Sequence, residues 1–213
     1  ESYFNRIGIQ DPTATAFLSM LSKLKKDQEI VENYMQPPVL GMIKTKINPL
    51  RIPCSRKHRV VLQCGMFRFN DFVESLPSDR LREMINQYFN LCSRLVQRNG
   101  GQVVSFREDT IISYFEFHNT VQAVTAALEI VRRLYKYREK DQNPLNRLKT
   151  TFVGVGLSKG PTMEGTLGGP VMKQYAIIGP TVKRAKQLQY LTRSSSSFIH
   201  FDEMIKRDLE ADT

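Results

Sequence analysis

No run of apolar residues in this sequence approaches the ~20 that a helix needs to cross a bilayer, so a helical membrane span is not expected. Cysteine is scarce, with three residues at positions 54, 64 and 92. An odd number at those separations is neither a zinc-ligand set nor a disulfide framework. Cys64 and Cys92 fall in apolar stretches, where a free thiol packs as a small hydrophobe. A reducing, cytoplasmic setting is the simplest one. Histidine is as sparse: His58, His118 and His200 stand apart, without metal spacing. The glycine-rich G-T-L-G-G run at 165–169 lacks the Gly-Lys-Ser/Thr of a phosphate-binding Walker loop. The first residues, Glu-Ser-Tyr-Phe, include no initiator Met and no signal-peptide pattern, so the chain is expected to be part of something longer.

Acidic charge is also in short supply. Lys and Arg number 31 against 21 Asp and Glu, a net charge of +10. That balance favours an acidic partner: nucleic acid, anionic lipid, a phosphorylated ligand or an acidic protein surface. The basic residues are spread over 23–26, 44–59, 132–147 and 173–193. They form no compact basic-aromatic motif of the kind an RNA-binding sheet carries. Direct nucleic-acid binding is therefore not expected. With 213 residues, 41% of them hydrophobic and 24% charged, the chain has the makings of an ordinary globular core.

The elements follow from periodicity. Residues 1–12 read as irregular. Thr13 or Thr15 can cap a helix reaching Tyr34, with Phe17, Leu21, Leu24, Val31 and Met35 at heptad-like spacing. That stripe suits a parallel dimer seam or a helix lying against its own domain. Pro37 and Pro38 stop it. Residues 37–58 read as a proline-rich, basic linker with a short helical turn at Val39, Met42 and Ile43. A buried strand begins at Arg59 and runs into a turn at 65–70. An amphipathic helix over 76–98, with Ser78 as a plausible N-cap, ends at Asn99-Gly100-Gly101, read as left-handed. Strands at 102–106 and 110–117 flank Arg107-Glu108-Asp109. A second amphipathic helix covers 119–139, with a loop at 141–147. A strand over 149–158 leads to a glycine-rich segment at 160–169. A strand at 173–179, a helix at 180–191, a polar loop at 194–197, a last strand at 197–201 and a helix at 202–209 complete the chain. The predicted class is α+β, with a ferredoxin-like β-α-β-β-α-β core. The expected division is an N-terminal helical extension over 1–36, a linker over 37–58 and the main domain over 59–213.

Several stretches in this order carry a resemblance. V-V-L-Q-C-G-M-F-R-F-N-D-F (60–72), M-I-N-Q-Y-F (84–89) and N-G-G-Q-V-V (99–104) come first. S-F-R-E-D-T-I-I-S-Y-F (105–115), V-G-V-G-L-S-K-G (153–160), M-E-G-T-L-G-G (163–169) and Q-Y-A-I-I-G-P-T-V-K-R-A-K-Q-L (174–188) follow. Together they resemble a class III nucleotidyl cyclase homology domain over 59–209. The approach Y-M-Q-P-P-V-L…I-N-P-L…R-K-H-R-V-V-L is similar to that of sensor-linked cyclases, including photoactivated ones, which implies an upstream regulatory domain. The resemblance implies cyclisation of a nucleoside triphosphate at a dimer interface. Two Asp hold two divalent metals, a Lys and an Asp read the base, an Asn orients the ribose and an Arg stabilises the transition state.

Carried over residue by residue, most of this set is altered. The first metal Asp falls on Gly65 and the second on Asp109, which is retained. The base-reading Lys and Asp fall on Ser105 and Ala176. The ribose Asn falls on Lys183 and the transition-state Arg on Gln187. The sequence therefore predicts a degenerate cyclase domain with no catalytic residues. Asp109 is a vestigial metal ligand, and Mg or Mn is relevant only if the domain is active. Its role would be dimerisation, regulation or scaffolding through a homo- or heterodimer of the cyclase type. Lys183, Arg184 and Lys186 form a candidate anion- or partner-binding cluster. The basic surface would suit an acidic protein, a cytoskeletal polymer such as the microtubule included. Two alternatives stay open: an active cyclase using substitutes (Lys183, Arg184 or Lys186 for the Arg, Glu108 beside Asp109 for the metal), and a sensor that binds nucleotide without turnover.

Overall fold

The computed structural model of the chain describes residues 12–140, 151–169 and 171–211. It divides into two compact units, Glu1–Met35 and Gln36–Thr213. The first contains helix α1 (Pro12–Tyr34). Proline is favoured at the first helical position, where no N–H is needed, so Thr13 and Thr15 lie inside the helix rather than capping it. Met20, Leu21, Leu24 and Ile30 are exposed on it. The expected loop at 141–147 and the irregular reading of residues 1–11 lie outside the described residues.

The second unit opens with α2 (Pro37–Lys44), a 3₁₀ turn (Pro49–Arg51) and strand β1 (Ser55–Met66). After it come α3 (Phe69–Ser75), α4 (Ser78–Arg98), β2 (Gln102–Arg107), β3 (Thr110–Glu116) and α5 (Thr120–Lys140). The chain continues with β4 (Val153–Gly168), β5 (Lys173–Ile178), α6 (Pro180–Leu191), β6 (Ile199–Phe201) and α7 (Glu203–Ala211). The sheet order is β2-β3-β1-β4-β5, antiparallel throughout, with β6 parallel to β4. The β1-α4-β2-β3-α5-β4 portion is the ferredoxin-like plan.

Alternation along β1 explains why the strand is buried on both faces. Val60, Leu62, Cys64 and Met66 enter a large core with Tyr88, Cys92 and Leu95 of α4 and Ala123, Ala127 and Ile130 of α5. Val61 faces the other way, into a smaller core with Val104, Ile112, Tyr175, Ile177 and Ala185, against which Val39, Met42 and Val182 pack. Cys64 and Cys92 are buried free thiols, and Tyr88 donates its hydroxyl hydrogen to the Cys64 carbonyl at 3.0 Å.

The structure corrects several boundaries. β1 begins at Ser55, not Arg59, because residues 55–58 pair with 161–164 of β4. The supposed glycine-rich segment is the second half of β4, a 16-residue strand that pairs first with β1 and then with β5. A separate helix, α3, occupies part of the expected 65–70 turn and the residues after it. Pro77, not Ser78, is the N-cap of α4. Of the two glycines ending α4, Gly100 alone is left-handed, with φ 77°; Gly101 is bare because a Cβ there would meet the Phe115 ring at 2.6 Å.

One residue joins both edges of the sheet. The Gln36 side chain donates to the carbonyls of Val104 on β2 (2.7 Å) and Tyr175 on β5 (2.9 Å), and accepts from the Tyr175 N–H (2.9 Å).

Candidate functional site

The site forms where α6 comes down on the sheet. A Cβ on Gly156 would stand 2.1 Å from the Ala185 carbonyl oxygen and 2.3 Å from the Gln189 nitrogen. One on Gly154 would stand 1.8 Å from the Thr192 hydroxyl oxygen. Helix and strand approach this closely because neither position carries a side chain. Gly65 pairs with Gly154 across β1 and β4, so its missing side chain belongs to the same face and extends the bare floor. Val182, Ala185 and Gln189 recur at three and four along α6, and this stripe turns toward the sheet. Gln189 is buried, and its amide lies over Gly65.

A Cβ built on Gly65 would meet Gln189 Nε2 at 2.8 Å, Thr110 Oγ1 at 2.9 Å and Asp109 Oδ2 at 3.2 Å. Asp109 follows the left-handed Glu108 (φ 52°) at the tip of the β2-β3 hairpin and is 7% exposed. Its Oδ1 accepts from the Thr110 hydroxyl at 3.2 Å, and the Arg193 guanidinium lies 3.9 Å from Oδ2. Burial pushes the Asp109 carboxyl above its ordinary range; the Thr110 hydroxyl, main-chain N–H groups of Asp109 and Met66 and the Arg193 charge oppose this without cancelling it. Among the described residues, Asp109 Oδ2 and Gln189 Nε2 are the buried side-chain polar atoms without a hydrogen-bond partner.

Beside this cluster a cleft of about 530 Å³ opens between the β2-β3 hairpin and the β5-α6 segment. Ser105, Asp109, Ala176 and Lys183 all line it, with Lys186 next to them. Four of the six positions read from the sequence therefore converge on one cleft. Gly65 lies beneath Gln189 and does not line it, and Gln187 is exposed outside its lining. Of the basic cluster, Lys183 and Lys186 face the cleft, whereas Arg184 lies 3.9 Å from Asp202. Glu108 also lines the cleft but is exposed at the hairpin tip.

The donor set does not suit the divalent metals of a cyclase. Mg²⁺ requires near-octahedral oxygen ligands at about 2.0–2.1 Å. Around Gly65 stand one carboxylate, one hydroxyl and an amide nitrogen that can only donate. Among the described residues, no three His, Cys, Asp or Glu side chains converge to hold a metal ion. Gln189, Thr110 and Arg193 had no place in the sequence reading. The available signal was Gln189 itself, a polar residue on the inward stripe of α6.

Residues 58–210 match the family described as adenylate and guanylate cyclase catalytic domain. The chain belongs to this family. Among curated relatives, it is 24% identical over 174 residues to photoactivated adenylate cyclase subunit beta of Euglena gracilis, covering 82% of this chain and 20% of that protein. It is 23% identical over 192 residues to an adenylate cyclase of Anabaena cylindrica, covering 88% of this chain and 38% of that one. A bacterial light-regulated adenylyl cyclase superposes with a TM-score of 0.87 at 25% identity, over 94% of this chain and 59% of the other. The chain thus spans only part of the length of each. A guanylate cyclase domain from Catenaria anguillulae, solved in complex with GTP, shares the fold with a TM-score of 0.62 at 16% identity, over 73% of this chain and 84% of that one. The cleft gathers Asp109 with Ser105, Ala176 and Lys183, the positions at which the resemblance leads one to expect the base- and ribose-reading groups. Gly65 lies sealed under α6.

Proposed function

We propose that this is a catalytically degenerate nucleotidyl cyclase domain, serving as a dimerising, regulatory or scaffold module of a longer protein. The observation that carries the reading is Gly65: where cyclisation needs a second acid, there is no side chain and the space beyond is filled. Cyclisation asks for two carboxylates on the metals and for an Asn-Arg pair on the ribose and transition state. Here one carboxylate remains, and Lys183 and Gln187 stand at the other pair. Because both half-sites are altered, pairing with an intact cyclase chain would restore neither composite site. Loss of one such electrostatic group costs about 3–4 kcal/mol of barrier, and the losses accumulate here.

The basic surface fits an acidic protein partner in the cytoplasm, and a cytoskeletal polymer is one such surface. Among the described residues, no helix is long and apolar enough to cross a membrane. The purified protein, given ATP or GTP with Mn²⁺, is expected to form no cyclic nucleotide above the enzyme-free rate. Sustained product formation that Asp109→Ala abolishes would overturn the reading in favour of an active cyclase. A second reading draws on Lys183 and Lys186 lining the cleft: nucleotide binding without turnover. Calorimetry with a non-hydrolysable triphosphate separates the two, since saturation that Lys183→Glu removes makes the module a sensor.

A further inference from the structure

Two unpaired buried groups face one point in this molecule, and their chemistry is complementary. Gln189 Nε2 is a donor without an acceptor, and Asp109 Oδ2 is an acceptor without a full partner. They lie 2.8 and 3.2 Å from the point at which a Cβ on residue 65 would stand. A cation bridging acids at 65 and 109 would have to occupy the space beyond that point. Gln189 brings an amide NH₂ to it instead, which carries partial positive charge and no lone pair for a metal. Behind the carboxylate, Arg193 supplies a full positive charge 3.9 Å from Oδ2. Thr110 Oγ1 donates to Oδ1. Thr110 and Arg193 therefore offer Asp109 a donor and a cation that the chain itself provides, and the unpaired Gln189 NH₂ stands beside them with no acceptor of its own.

We propose that Gln189 closes the metal half-site from within. Its carboxamide, backed by Arg193, stands in place of the family's divalent cation, and Asp109 becomes the acceptor of an internal polar cluster rather than a metal ligand. The proposal deepens the functional reading above but can fail separately from it, since a domain without turnover could still bind metal at Asp109. The position of Gln189 is not incidental. It is fixed by the packing of α6 on Gly156 and of Thr192, just after the helix, on Gly154, by the Thr192 hydroxyl donating to the Gln189 carbonyl at 2.5 Å, and by the absence of a side chain at 65. A longer side chain at 65 would compete for the same volume, so Gly65 and Gln189 act as a pair.

The test uses the near-isosteric Gln189→Glu, which replaces the amide NH₂ by a carboxylate oxygen without changing the volume over Gly65. Thermal unfolding is followed in EDTA and in millimolar Mn²⁺. A ligand that binds only the folded state raises Tm in proportion to the logarithm of its concentration above Kd. The wild-type protein is expected to show the same Tm in both conditions. Gln189→Glu is expected to melt lower than wild type in EDTA, because two buried carboxylates then face each other, and to regain stability with Mn²⁺. Adding Asp109→Asn should remove that regain. A Mn²⁺-dependent rise in the wild type that Asp109→Asn abolishes would overturn the proposal while leaving the absence of turnover untouched. A folded Gln189→Glu variant with no Mn²⁺ response would also overturn it. Should Gln189→Glu prove unfolded in EDTA, refolding by Mn²⁺ alone is the expected result and failure to refold the contrary one.

Discussion

A single methyl group has two different consequences on the glycine floor beneath α6. At position 65 it meets the ends of side chains: the Gln189 amide, the Thr110 hydroxyl and the Asp109 carboxylate. The first of these can rotate away, so Gly65→Ala is expected to cost about 1–2 kcal/mol, the lower part of the overpacking range. At position 156 the methyl meets the backbone of α6 at 2.1 and 2.3 Å. The whole helix would have to lift, so Gly156→Ala should cost about 3 kcal/mol or more. Denaturant unfolding of the two variants measures the difference, and equal losses would contradict it. At this scale the sequence was partly legible. Ser105, Asp109, Ala176 and Lys183, read from runs with a known order, do converge on one cleft. Gln189 and Arg193 could not be read in this way, because their roles come from where α6 and the turn after it land on a neighbouring strand, and that is a property of helix-sheet packing.

At the scale of elements, β1 and β4 extend each other. The strand expected to end at 158 continues through the glycines at 160, 165 and 168, since Ser55 pairs with Glu164 and the linker presses close. A Cβ on Gly165 would stand 2.9 Å from the Cys54 Cα. Glycine there marks backbone approach rather than a turn. The added ladder carries a charge cluster. Glu164, 2% exposed, accepts from Arg59 (2.7 Å), Lys57 (2.8 Å) and the Tyr175 hydroxyl (3.1 Å). Arg59 also pairs with Glu116 and lies over the Tyr114 ring, 4.8 Å from its centroid. Four strands are thus tied through one guanidinium and one carboxylate. Burial pushes the Glu164 carboxyl up, but the bonds from Arg59 and Lys57 outweigh it and hold the group below its ordinary value. A carboxyl depressed by folding adds stability above its unfolded pKa of about 4.3 and loses it as pH falls through the folded value. Glu164→Ala is therefore expected to destabilise by about 3 kcal/mol at neutral pH, because Arg59 is left buried with a weaker partner. The gap from wild type should narrow as the pH falls into the acid range. A pH series of urea melts measures both, and a gap that widens on acidification would contradict the assignment.

At the scale of the whole molecule, the family match begins at residue 58, whereas the compact unit begins at Gln36. The architecture was legible from the sequence because strand, helix and hairpin follow one another in a fixed order with clear periodicity. The role of residues 36–54 was hidden because proline and polar composition reads as linker whether or not a segment packs. The Gln36 amide gives that segment a meaning in terms of self-association. β2 and β5 are the outer strands of the five-stranded path, and the free edge of such a strand is a template for pairing with another chain. Gln36 occupies main-chain groups on both edges at once, and Val39 and Met42 of α2 cover the apolar surface beside them. A chain shortened to begin at Ser55, the first residue of β1, would expose both edges and that surface together. Light scattering is expected to detect its association at concentrations where the chain beginning at Gln36 stays dispersed, and Gln36→Ala in the longer chain should fall between the two. The segment that reads as a spacer is, on this view, what keeps the sheet from growing.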